Sequence, residues 1–145
     1  MRTSVILITV LITLAILINP ALGLQSLDKV VLSETGLVNR SGIPIGANVN
    51  VNQQVLVSSK ITNMQDTTQD FIYIVQIKNE NDIVVKIGWI TGNLTKQQKF
   101  VPAVSWVPKT QGTFTVEIYV WDGLDQKKHN YEALTDVVRF SVISS

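Results

Sequence analysis

The chain is 145 residues long and carries 12 Lys and Arg, 11 Asp and Glu, and no cysteine. That length suits one domain behind a leader, and the missing thiols exclude a disulfide framework, a thiolate metal site and a cysteine nucleophile. One of the bases, Arg2, stands before an apolar segment, so the remainder balances at 12 − 1 = 11 bases against 11 acids; a balanced domain has no basic footprint for nucleic acid.

Residues 1–24 have the layout of an export signal. Arg2 supplies the charge, residues 5–18 are apolar except for Thr9 and Thr13, Asn19-Pro20 breaks a helix, and Ala21-Leu22-Gly23 places small residues two apart. A helix over residues 5–18 spans about 21 Å, short of the hydrocarbon core of about 30 Å. The expectation is a cleaved signal peptide over 1–24 and a domain over 25–145; if retained, the segment is an N-terminal anchor, the chain's one contact with a membrane. In both cases Arg2 stays inside and the domain lies outside. Two N-x-[ST] triplets, at Asn39 and Asn93, are glycosylation acceptors in an exported chain, and both are expected in turns or loops.

Beyond residue 24 the recurring period is two, cut by Gly, Pro, Asn and Asp. Residues 26–34 read as a short strand and 35–46 as turns. Residues 47–63 carry Val49 and Val51, then Val55, Val57, Ser59 and Ile61 in one frame. After a polar loop at 64–70, residues 71–78 read as a central strand with Tyr73, Val75 and Ile77 inward. A tight turn at 79–82 returns the chain as a hairpin strand at 83–90, because Asn and Asp tolerate the angles needed. Residues 91–98 read as a loop. Residues 99–108 place Phe100, Pro102, Val104 and Trp106 in one frame, with the proline marking an edge.

In 112–121 the frame Phe114, Val116, Ile118, Val120 is wholly apolar, and the other frame ends in Tyr119 and Trp121. A long polar loop over 122–136 leads to a last strand at 137–144, with Val138, Phe140 and Val142 inward. Seven or eight strands without crossover helices predict an all-β, antiparallel sandwich.

The segment 104–123, "VSWVPKTQGTFTVEIYVWDG", resembles the penultimate-strand region of immunoglobulin-like surface domains of bacteria and archaea, among them cell-adhesion-related and fibronectin type III-like modules. Residues 55–66 and 71–100 look like the strands before it, and 27–144 as a whole is similar to small secreted proteins of ammonia-oxidising archaea. The resemblance implies that Trp106 and Phe114 are core residues and Gly112 a turn glycine. It also implies an adhesive, structural or assembly role outside the cell, with no catalytic residue. The cysteine pair and third-strand Trp of antibody domains are missing; Tyr73 stands on that strand.

His129 is the only histidine and cannot make a zinc set by itself. Its setting in a charged loop reads as solvated surface. Asp122, Asp125, Glu132 and Asp136 share that loop and faintly resemble a calcium turn, opposed by Lys127 and Lys128. Tyr119, Trp121, Lys127, Lys128 and Tyr131 form a candidate contact surface, since aromatics with a polar handle favour interfaces. The competing expectation is that the strand twists and Trp121 packs beneath the loop. No catalytic residue, metal or cofactor is expected. The expected role is a non-enzymatic domain at the cell surface that binds a protein or envelope partner, with association through an edge strand. The alternative is an inhibitor or accessory subunit of an exported enzyme, docking through loop 122–136.

Overall fold

The computed structural model describes residues 25–125, 127–128 and 130–145. The leader and His129 lie outside the described residues. A 3-10 turn, Ser26–Asp28, is followed by β1 (Val30–Val38), β2 (Pro44–Ile45), β3 (Asn48–Val49), β4 (Val55–Asn63), β5 (Gln69–Asn79), β6 (Val84–Leu94), β7 (Lys99–Phe100), β8 (Ala103–Trp106), β9 (Gly112–Trp121) and β10 (Val138–Ser144). They form two sheets. The first has the order β2-β1-β4-β7, with β8 also on β4; the second has the order β3-β10-β9-β5-β6.

The alternating frames point where the sequence places them. Val55, Val57, Ser59 and Ile61 of β4, Tyr73, Val75 and Ile77 of β5, and Phe114, Val116, Ile118 and Val120 of β9 are all buried between the sheets. Burying each large apolar side chain contributes about 1.5–3 kcal/mol. Trp106 and Phe114 close one end of the core edge to face, 5.1 Å apart. Tyr73 fills the centre, and its hydroxyl shares a 3.1 Å hydrogen bond with Ser59 Oγ, which in turn accepts from Thr35. Burial pushes the Tyr73 phenol up to about 12. Asn63 is fully buried at the end of β4; its Nδ2 donates to the carbonyls of Thr67, Leu94 and Thr95, and its Oδ1 accepts from Gln65 N–H. One side chain thereby ties three chain segments.

Several expectations are corrected. The sandwich is not wholly antiparallel. Gly46 and Ala47 carry the chain from the rim of one sheet to the rim of the other, where β3 joins β10 in parallel. The strand count rises to ten among the described residues because β2, β3 and β7 are two-residue pieces.

The first strand runs on to Val38. A bulge between Ser33 and Gly36, with Glu34 at φ 50°, shifts the alternation by one, so that Leu37 faces the core as Val30 does. β6 continues through Leu94, so residues 91–94 are paired strand, and Asn93 sits opposite Asp70 on a strand instead of in a loop. In the frame Phe100, Pro102, Val104, Trp106 the last three are buried, whereas Phe100 at the end of the sheet is 40% exposed. The strand pairing is interrupted at Val101-Pro102, but Pro102 stays buried in the frame of Val104 and Trp106, and its carbonyl accepts from Ser58 Oγ and Ser59 N–H. Asn39 does occupy a turn; its Oδ1 accepts the N–H of Ser41 and Ile43.

Candidate binding face

The outward frames of β10, β9, β5 and β6 make the free face of the second sheet. The strand register sets Arg139, Glu117, Gln76 and Ile87 in one row across it. A second row runs Tyr119, Ile74, Trp89, and a third Trp121, Ile72, Thr91. Side chains in such rows touch across strands.

Glu117 is the electrostatic centre. The sequence places it on the polar frame, yet it is buried, because four neighbours from three strands fold over it. Oε1 accepts from Arg139 Nε at 2.8 Å. Oε2 accepts from Gln76 Nε2 and Tyr119 OH, each at 2.9 Å, and from Lys78 Nζ at 3.0 Å. The Arg139 hydrogen bond leads in holding the Glu117 carboxyl down to about 2, against the cost of burial and with help from Lys78, Tyr119 and Gln76. The phenol of Tyr119 is raised, first by burial and then by donating to that carboxylate. With four donors on it, this carboxylate is a fixed cross-strand clamp.

Tyr119 and Trp121 meet edge to face at 6.3 Å. Trp121 is half-buried, and the loop 122–136 folds back against its strand: Trp121 bridges to Ala133, and Leu134 N–H donates to the Val120 carbonyl at 2.8 Å. This loop is more than solvated surface. Leu134 is 0% exposed and belongs to the core. Asp122 uses both carboxylate oxygens on the loop itself, accepting from the N–H of Asn130 and of Glu132. Glu132 accepts from Ser26 and Lys29, and Asp125 from the N–H of Lys127. Asp122 and Asp125 are thus directed at loop N–H groups and Glu132 at the N-terminal turn, and no group of three or more acidic, His or Cys residues is arranged to hold a metal among the described residues. Lys127, Lys128 and Tyr131 are exposed on the loop, Tyr131 at φ 57°. Of the predicted contact residues, Tyr119 and Trp121 adjoin one another, whereas Lys128 stands with Trp89 on the rim of a cleft.

Trp89 is the residue that the sequence pattern hides. It is 59% exposed, beside exposed Ile87. The opposite frame of β6 is occupied by Gly88 and Gly92, and the packing requires them. A Cβ at Gly88 would stand 2.7 Å from Val104 Cγ1, and one at Gly92 2.8 Å from the Phe71 ring. Ile90 and Leu94 on the inner frame still reach the core, while Ile87 and Trp89 on the outer frame face solvent. The glycines spaced by four were the available signal.

Solved structures give the architecture a precedent. The C-terminal domain of Wzt is 12% identical, with a TM-score of 0.58 over 81% of this chain and 74% of that one. The CARDB domain of a Pyrococcus furiosus protein is 18% identical, with a TM-score of 0.53 over 80% of this chain and 94% of that domain. The chain folds as an immunoglobulin-like β-sandwich. A β-glucosidase from Erythrobacter marinus contains a similar sandwich, at 10% identity and a TM-score of 0.55, which occupies 15% of that enzyme. No family model and no curated protein matches the chain. At these identities the likeness is one of fold.

Proposed function

We propose that this immunoglobulin-like sandwich is an exported, non-enzymatic binding module that takes an extended segment of a partner protein as an added strand along β6. The observation that carries the proposal is the contrast between β6 and the other sheet rims. β2 and β3 are two residues long, and the rim formed by β7 and β8 is split at Pro102. β6 has eleven residues, one charge (Lys86), and exposed Val84, Val85, Ile87 and Trp89. A long apolar rim strand offers unpaired N–H and C=O groups as a template for another chain. Strand addition uses those groups for affinity and the alternate side chains for specificity. The neutral charge balance favours no long-range steering, so selection rests on the apolar row.

Export to the cell surface is supported by the pattern of residues 1–24, and a surface role by the resemblance to bacterial and archaeal surface modules. The test is a photo-crosslinking residue at position 87, with position 45 on β2 as control, irradiated on intact cells. A discrete protein adduct from position 87, lost in Val85→Lys, is expected. Equal labelling from both positions, or none from 87, overturns the proposal.

A further inference from the structure

The free face of the second sheet ends in a cleft of about 630 Å³ between the start of β5, the end of β6 and the base of loop 122–136. Its size is in the range of small-ligand sites. We infer that this cleft binds a neutral saccharide, independently of any strand added to β6.

The wall supplies both halves of sugar recognition. Trp89 lies along it with its indole open to solvent, and Ile72, buried on the same face, makes an apolar floor. An exposed indole face stacks against the C–H face of a pyranose, the dry contact that orients a sugar ring. Around it stand Asp70, Thr91, Asn93 and Lys128, a mixed set of donors and acceptors. Asn93 Nδ2 donates to Asp70 Oδ1, and the two residues are register partners on β5 and β6. The amide and carboxylate are therefore oriented by paired strands before a ligand arrives, which lowers the ordering cost of binding.

Charge and chemistry narrow the ligand. Asp70, Asp122 and Asp125 line the cleft and oppose an anion, with Asp122 already engaged by the loop N–H groups of Asn130 and Glu132, while Lys128 repels a cation placed beside it. A hydrocarbon would leave Asn93 and Asp70 desolvated without new partners. A hydroxyl donates to a carboxylate and accepts from an ammonium or amide at once, so a neutral polyol satisfies both signs. Asn93 also heads a glycosylation triplet, so a glycan attached there would alter this wall of the cleft.

The test uses the full chain, made without glycosylation and checked by intact mass. Backbone and indole N–H resonances are followed while methyl glycosides of glucose, galactose, mannose and N-acetylglucosamine, and the β-1,4 hexasaccharides of glucose and N-acetylglucosamine, are added to millimolar levels. Saturable shifts at Trp89, Thr91, Asn93 and Gly123 with at least one probe are expected. Trp89→Ala should weaken that binding tenfold or more, and Trp89→Phe less. Asn93→Ala, at a second exposed position, should also weaken it while the spectrum remains folded. The inference is overturned if no probe moves these resonances, if binding survives both alanine variants, or if only a penta-lysine peptide shifts them. Ile87→Lys separates the two readings: it should leave saccharide shifts intact while abolishing strand capture.

Discussion

Replacing Glu117 by Gln keeps the shape of the clamp and removes its charge. In the wild type, the carboxylate titrates at about 2 against an ordinary value of 4.5. By linkage a shift of that size corresponds to about 3 kcal/mol when fully expressed. Arg139 is 58% exposed on its side chain, and the cluster borders water, so screening leaves roughly half of that. In E117Q, Lys78 and Arg139 lose their common counter-charge, and Tyr119 and Gln76 lose a strong acceptor.

The net expectation is a loss of about 1.5–2 kcal/mol near pH 7, a fall in Tm of roughly 5–10 °C for a domain of this size. The sign with pH follows from the depressed value. The stabilisation is complete above about 4.5 and disappears as pH falls through about 2. Urea unfolding of wild type and E117Q at pH 7, 4 and 2.5 should therefore show a gap that narrows steadily with acid. Equal midpoints at pH 7, or a gap that persists undiminished at pH 2.5, would refute the assignment of Glu117 as an ionised clamp.

Three further outcomes follow from the packing. Asn63→Ala strands three carbonyls and the Gln65 N–H at the end of β4; a loss of about 2–4 kcal/mol in urea unfolding is expected. Gly88→Ala drives a methyl group into Val104, a stiff β-branched neighbour; the expected cost is about 1–3 kcal/mol, and pairing it with Val104→Ala should recover part of that cost in a double-mutant cycle. Leu134→Ala opens a cavity beneath loop 122–136 and should cost about 2–4 kcal/mol, with faster amide exchange at Leu134 and Asp122 than in β9.

The inward frames of β4, β5 and β9, the turn at Asn79–Asp82 and the break at Gly112 were legible in the sequence because each depends on neighbours within a few residues. Side-chain alternation is a local property of extended chain, and an apolar frame of four is buried wherever its strand is placed. The candidate face was legible only in part. Tyr119 and Trp121 announce themselves as aromatics on a polar frame. Trp89 does not, since Ile90 and Leu94 make the other frame of its strand apolar too, and only the pairing with β5 shows which frame faces out.

What only the tertiary structure decided depends on residues far apart in the chain. Glu117 becomes buried because Gln76, 41 positions earlier, and Arg139, 22 later, arrive on either side of it. Residues 91–94 become strand because Gln69 and its successors pair with them, and Leu134 enters the core because the loop returns to Val120. A charge reads as solvent-facing until its partners are known, and a polar stretch reads as loop until another strand satisfies its backbone. The alternation in the sequence settled which side chains seek the interior; the pairing of strands settled which polar and aromatic groups share the outer face and the cleft at its end.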